Sequence, residues 1–227
     1  MREPLRLEDW LPIYRRICAD FDYDEREDFK SALSLAKLLK GRGESSLEIV
    51  RKGFPESVII CGGGVSLAKE LAGITIERGD YLVAADTAAS TLRGIGVAPK
   101  MIVTDLDGVV EDQIAMNVGG AAVFVHAHGD NQDAVHKHIS RFPGLLVGTC
   151  QCEPPPGLFN FGGFTDGDRA ACICTELGAK ELRLAGFDFE HPTPKPGKSA
   201  AIKLKKLRWA KEILGILSQK GVRISNL

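Results

Sequence analysis

Residues 81–108, YLVAADTAASTLRGIGVAPKMIVTDLDG, constrain the fold of this 227-residue chain more than any other stretch. Two apolar runs, 81–85 and 101–104, read as buried strands. The segment between them, 87–94, is too long for a hairpin turn and well suited to a crossover helix, so the strands are expected to be parallel neighbours. Each strand delivers carboxylates at its C-terminal end: Asp86 after the first, Asp105 and Asp107 after the second. In open α/β sheets ligands sit at that edge. Three converging carboxylates repel one another and raise one another's pKa, whereas a hard divalent cation such as Mg2+ holds all three ionised. The trio reads as a metal site. Taken singly, Asp86 would serve as a helix N-cap and the other two as turn formers.

Size and charge bound the rest. A hydrophobic share of 44% at this length suffices for one large domain plus an appendage. Lys and Arg nearly balance Asp and Glu, leaving a formal charge of -1, so no global field recruits nucleic acid or an anionic membrane. No apolar run approaches the roughly 20 residues that span a bilayer, and the charged start MREPLRLEDW is unlike a signal peptide, so a cytoplasmic protein is expected. The six cysteines include two C-x-C pairs but no C-x-x-C, which favours buried free thiols over a zinc site.

Along the chain, residues 1–54 form a helical N-terminal segment and 55–227 an α/β domain. Periodic apolar residues suggest two N-terminal helices, the second ended by Gly41 and Gly43, joined by an acidic link, DFDYDEREDF, read as a solvated connection. The strand 57–61 runs into Gly62, Gly63, Gly64 and Ser66 and then a helix. Glycines let backbone N–H groups approach an anion, so this turn is a candidate phosphate cradle, although it matches neither G-x-x-x-x-G-K-[ST] nor G-x-G-x-x-G. A strand over 121–125 ends in HAHGDN, where His128 and Asp130 reach the same sheet edge while His126 reads as a core residue. Asp130 is either a functional acid or the cap of a helix over 132–142. After a strand at 144–149, the loop QCEPPPGLFNFGGFTDGDRA offers Phe159, Phe161 and Phe164 as flat surfaces, and Asp166, Asp168 and Arg169 as polar groups at the start of a helix over 169–177. Asp168 is expected at the ligand and Asp166, nearer the turn, at the cap. A strand at 180–185, Lys195 and Lys198 in a loop that could reach phosphates, a helix over 200–217 with a solvated basic face, and a last strand at 222–224 complete the reading.

Five of these motifs in this order, GGGVSL, AADTAA, VTDLDG, HAHGDN and NFGGFTDGDRA, resemble the archaeal 6-hydroxymethyl-7,8-dihydropterin pyrophosphokinases related to thiamin pyrophosphokinase. The likeness spans residues 57–188 and departs where related chains often carry proline and this one has Val65. It implies an open, mostly parallel, Rossmann-like α/β sheet flanked by helices. It also implies Mg2+-dependent transfer of diphosphate from ATP to the hydroxymethyl group of a pterin, yielding AMP. On that reading Asp86, Asp105 and Asp107 hold the metal, with Asp107 also catalytic, and Gly62–Gly64 with Ser66 hold phosphates. Asp130 orients or deprotonates the acceptor hydroxyl, and Phe164, Asp166, Asp168 and Arg169 face the pterin. The alternatives are a sialyltransferase-like glycosyltransferase using Asp105-Leu106-Asp107 as a DxD motif, and a nucleotide-binding regulatory module. Oligomeric state is left open, a homodimer being one option.

Overall fold

Among the described residues, three helices precede the first strand: α1 (Leu7–Phe21), α2 (Glu25–Leu39) and α3 (Arg42–Arg51). The second helix ends just before Gly41, as read, but Gly43 lies inside a third helix that the sequence pattern did not show: Lys40 and Gly41 adopt left-handed backbone and α3 starts at Arg42. The Arg42 guanidinium donates to the carbonyls of Phe142 (2.6 Å) and Gly144 (2.5 Å), which anchors α3 to the body of the protein. The computed structural model describes residues 4–191 and 199–227.

Among the described residues, seven strands form one sheet with every pairing parallel: β1 (Ser57–Cys61), β2 (Leu82–Ala85), β3 (Met101–Thr104), β4 (Ala122–Ala127), β5 (Leu146–Cys150), β6 (Glu181–Ala185) and β7 (Arg223–Asn226). Their spatial order is β5-β4-β3-β2-β1-β6-β7. β2, β3 and β4 are buried along their whole length, which is why they read as continuous apolar runs rather than alternating ones. Helices α4 (Leu67–Ala72), α5 (Ala88–Gly94), α6 (Val110–Val118) and α7 (Gln132–His138) each carry the chain one strand further along the sheet. After β5 the chain returns: α8 (Asp166–Leu177) packs across β1, β2 and β3 and delivers β6 beside β1. α9 (Ala200–Gln219) lies on α8 and leads to β7 at the edge. Right-handed crossovers put the outbound helices and the returning α8 on opposite faces, so the carboxyl ends of the central strands open into a crevice where the direction of winding reverses.

The N-terminal helices share one core with the sheet. Trp10, Tyr14 and Ile17 of α1 and Ala32, Leu35 and Leu39 of α2 are buried in the same apolar cluster as the strands. α2 and α3 pack on β5, covering one edge of the sheet. All six cysteines are free and buried, matching the spacing argument. Two helix boundaries differ from the sequence reading by three residues or more. α7 ends at His138 and tightens into a 3-10 turn over Ile139–Arg141, and α8 begins at Asp166, three residues early, for a reason that bears on the site.

Candidate functional site

A cleft of about 830 Å³ runs along the carboxyl edge of the sheet. At its centre one carboxylate oxygen each from Asp86, Asp105 and Asp107 lie within 4.8 Å of one another. The chain makes this convergence by sharp reversals: Asp86 after β2 and Leu106 after β3 take left-handed backbone, with φ of 42° and 68°. For residues other than glycine that conformation is costly and persists only where the surroundings impose it. Asp86 is held from below, its Oδ1 accepting from Thr104 Oγ1 (2.8 Å) and Gln113 Nε2 (3.0 Å). Asp105 accepts the backbone N–H of Asp107 (3.1 Å) on Oδ1, while Oδ2 faces His128 Nε2 at 3.4 Å.

The electrostatics of the trio follow from burial and mutual repulsion. Asp86 is 4% exposed, and burial together with the charges of Asp105 and Asp107 pushes its carboxyl up to about 7. Burial also acts to raise Asp105, but His128, Arg169 and the Asp107 N–H outweigh it and bring the carboxyl down to about 2. An array in which one acid is forced toward protonation by its neighbours is one that a cation would relieve. Three carboxylate donors suit a hard, oxygen-seeking ion such as Mg2+. The residues present therefore fit a divalent metal.

A fourth acid joins from α8. Asp166 heads the helix with its side chain 21% exposed, is paired with Arg169 at 3.3 Å, and is raised well above the ordinary carboxylate range by burial and by repulsion from Asp105 and Asp86. Asp168 behaves in the opposite way and corrects the expectation that it faces a ligand. It is fully buried and closes a capping box, accepting from the backbone N–H of Phe164 (2.6 Å) and of Thr165 (2.8 Å) and from the Thr165 hydroxyl. Asp168 takes the capping position expected of Asp166, and Asp166 lines the cleft, because the box starts the helix at Asp166. Arg169 lies buried behind them, donating to Phe164 O at 2.9 Å and leaving Nε unpartnered.

The glycine turn also differs from its sequence reading. The Gly62 N–H donates to Ala185 O (2.7 Å) at the end of β6, and the Gly64 N–H to Gly186 O (2.9 Å) in the loop that follows. A Cβ at Gly64 would stand 2.5 Å from Gly186 O, and one at Gly62 2.7 Å from the same atom. These glycines are required for two loops to touch, with Phe187 packed over Gly62 and Gly167. Gly62, Gly63 and Gly64 line the cleft, whereas Ser66 is not among its lining residues and makes no capping bond.

Other expectations divide in the same way. Phe164 lines the cleft, but Phe159 and Phe161 stack on each other 5.8 Å apart and line a smaller, separate cavity of about 390 Å³ beside Leu5 and Leu47. Asp130 lines the cleft and is exposed. His126 is buried, its Nδ1 within 3.1 Å of Thr149 Oγ1, its Nε2 unpartnered and its pKa held well below the ordinary value by burial. Lys195 and Lys198 lie outside the described residues. Sequence reasoning missed Lys203 and Lys206 of α9 and Asp28 and Gln151, all of which line the cleft. Lys206 sits over the rings of Tyr23 (5.7 Å) and Phe164 (5.4 Å), so the basic face of α9 is turned partly inward. The acidic link likewise contributes a wall rather than only a solvated connection.

Comparison with known proteins adds an independent line. The family model described as 6-hydroxymethylpterin diphosphokinase MptE-like matches residues 33–193. A Pyrococcus furiosus protein named 6-hydroxymethyl-7,8-dihydropterin pyrophosphokinase is 37% identical over 230 residues, covering 96% of this chain and 96% of its own. A protein of the same name from Methanothermobacter thermautotrophicus is 37% identical over 232 residues, covering 97% of this chain and 99% of its own. Among solved structures, thiamine pyrophosphokinase from Bacillus subtilis superposes with a TM-score of 0.44 at 15% identity, covering 75% of this chain and 60% of that one.

Proposed function

Because this chain belongs to the 6-hydroxymethylpterin diphosphokinase MptE-like family, we propose that it transfers the terminal diphosphate of ATP, in a Mg2+-dependent reaction, to the hydroxymethyl group of 6-hydroxymethyl-7,8-dihydropterin, releasing AMP. The observation that carries the metal and phosphate chemistry is the carboxylate cluster, in which Asp86 is pushed to about 7 by burial and its acidic neighbours. Held by Asp86, Asp105 and Asp107, Mg2+ would neutralise the charge between these acids and a polyphosphate. The hydroxymethyl oxygen attacks the β-phosphorus, the bond from that phosphorus to the α,β-bridging oxygen breaks, and AMP leaves with the electron pair. The hydroxyl proton passes to Asp130, exposed on the cleft wall beside His128. Such a reaction asks mainly for alignment and charge stabilisation. Arg169, Lys203 and Lys206 supply positive charge in the same cleft, and Phe164 and Phe187 offer ring faces for two flat substrates.

The test is incubation of the purified protein with ATP, Mg2+ and the reduced pterin, with AMP and pterin diphosphate separated by chromatography. Equal amounts of both support the proposal. Transfer from a nucleotide sugar to a sugar acceptor, or ATP binding with no turnover on any acceptor, would replace it with a glycosyltransferase or a sensing module.

A further inference from the structure

Of the residues that the N-terminal segment brings to the cleft, Asp28 is the buried one. Placed in the acidic link between α1 and α2 by its neighbours in sequence, it is in fact 4% exposed on α2, with its carboxylate at the floor of the cleft. Three donors from three distant parts of the chain converge on it. Tyr14 Oη on α1 donates to Oδ2 at 2.7 Å, Gln151 Nε2 after β5 donates to Oδ2 at 2.6 Å, and the backbone N–H of Gly129 donates to Oδ1 at 2.7 Å. Only an acceptor-only group satisfies three donors at once. α2 can approach the turn after β4 this closely because residue 129 is glycine, where a Cβ would stand 3.0 Å from the Cβ of Glu27.

That turn carries the side chain facing the carboxylate cluster. His128 Nδ1 accepts the backbone N–H of Asp130 at 3.3 Å, which leaves the ring proton on Nε2, the atom 3.4 Å from Asp105 Oδ2. The Asn131 amide donates to Asp105 O at 2.8 Å and to His126 O at 2.7 Å, and its oxygen accepts the His128 N–H at 3.0 Å. Ser31 of α2 reaches the same Asn131 oxygen at 3.5 Å. The acid on α2 thus fixes the turn, the turn fixes the imidazole, and the imidazole fixes a carboxylate of the cluster.

We infer that Asp28 is a positioning residue for the metal-binding carboxylate Asp105, acting through the Gly129 N–H and His128, so that the N-terminal helices are part of the catalytic apparatus. This rests on the proposed function only in taking Asp105 as a metal ligand. Outer groups that orient metal ligands are worth about 10–100-fold in affinity or activity.

Mn2+ binding to the full chain, measured by calorimetry and by the loss of free-ion paramagnetic resonance signal, tests the inference without substrates, alongside melting curves and turnover. Asp28→Ala removes the acceptor of the Gly129 N–H and should weaken Mn2+ binding about 10-fold and lower kcat by at least as much. Asp28→Asn keeps an acceptor for Gly129 but sets an amide N–H2 against Tyr14 and Gln151, so it should melt lower than wild type while binding Mn2+ within about 3-fold of it. A purely structural Asp28 would give the reverse, Mn2+ affinity following melting temperature in both variants, and would overturn the inference. His128→Ala should reproduce the Mn2+ loss, and Asp28→Ala with His128→Ala should be no worse than either alone, since both cut one chain. Additive losses would also overturn it. If wild type binds no Mn2+, the metal assignment and this inference fail together. If wild type and Asp28→Ala bind equally and turn over equally, only this inference fails.

Discussion

Replacing Asp86 by asparagine should make the metal-free protein more stable and inactive. Asp86 is buried, and its carboxyl is pushed by burial and by Asp105 and Asp107 from an ordinary 3.8 to about 7. A carboxyl whose folded-state pKa lies above its unfolded value holds a proton in the fold that the unfolded chain has released, so stability falls as pH rises from about 4 to about 7 and is level beyond. A gap of about 3 units corresponds to about 4 kcal/mol at pH 8 at 1.36 kcal/mol per unit. Asparagine removes that cost without new ones: its Oδ1 can keep the Thr104 and Gln113 bonds that now fall on Asp86 Oδ1. Its amide N–H2 would donate toward the neighbouring acids, and asparagine tolerates the left-handed backbone at this position. Converted at 2–4 °C per kcal/mol for a chain of this size, the gain is on the order of 10 °C at pH 8 and less than half of that at pH 5. Asp105 does not blur the comparison. Its carboxyl is lowered to about 2, so the stability it contributes is complete above about pH 4 and is lost only as pH falls through 2. Calorimetric melts of wild type and Asp86→Asn in EDTA at both pH values decide the matter. A variant that melts below wild type at pH 8, or a gap of the same size at pH 5 and pH 8, refutes the reasoning.

The same electrostatics predict that Mg2+ raises the wild-type melting temperature more at pH 8 than at pH 5, because at pH 5 the cation must displace the Asp86 proton; thermal-shift titrations with an equal response at both pH values would contradict this. Asp168→Ala leaves the buried N–H groups of Phe164 and Thr165 without an acceptor and should cost about 2–5 kcal/mol of stability. Asp166→Ala should barely change the melting temperature yet reduce turnover, and a melting loss larger for Asp166→Ala than for Asp168→Ala would reverse the assignment. Gly64→Ala forces a Cβ to 2.5 Å from Gly186 O and should open the seam between the loops after β1 and β6, lowering stability by about 1–3 kcal/mol and raising KM for ATP, whereas Gly79→Ala, with open space around it, should do neither.

What could be read in the sequence was what is encoded locally. The central strands are buried on both faces, so their apolar runs marked 57–61 and 101–104 directly, and strand-end carboxylates stood out because a parallel sheet sends consecutive strand ends to one edge. Asp168 was misassigned although its signal was also local: Thr165 followed three residues later by an acid is a capping-box pattern. The rest depended on partners far apart in the chain. The Gly62 and Gly64 N–H groups find their acceptors at the end of β6 and in the loop after it, and Asp28 finds donors at Gly129 and Gln151, more than 100 residues away. Nothing in DFDYDEREDF separates Asp28 from its exposed neighbours, because its burial is set by helix packing on the sheet. The inward turn of Lys203 and Lys206 on α9 has the same origin, since a basic helix face declares its charge in sequence but not its direction.

On the proposed function, diphosphate moves as a unit from ATP to a pterin hydroxymethyl group. Phosphorus NMR of a single reaction with ATP, Mg2+ and 6-hydroxymethyl-7,8-dihydropterin tests it most directly. It should show the three ATP resonances replaced by AMP and by one pair of coupled doublets from an organic diphosphate, in equal amounts, with none of this in the Asp105→Asn variant. ADP together with a pterin monophosphate singlet would place the attack on the γ-phosphorus and contradict the account.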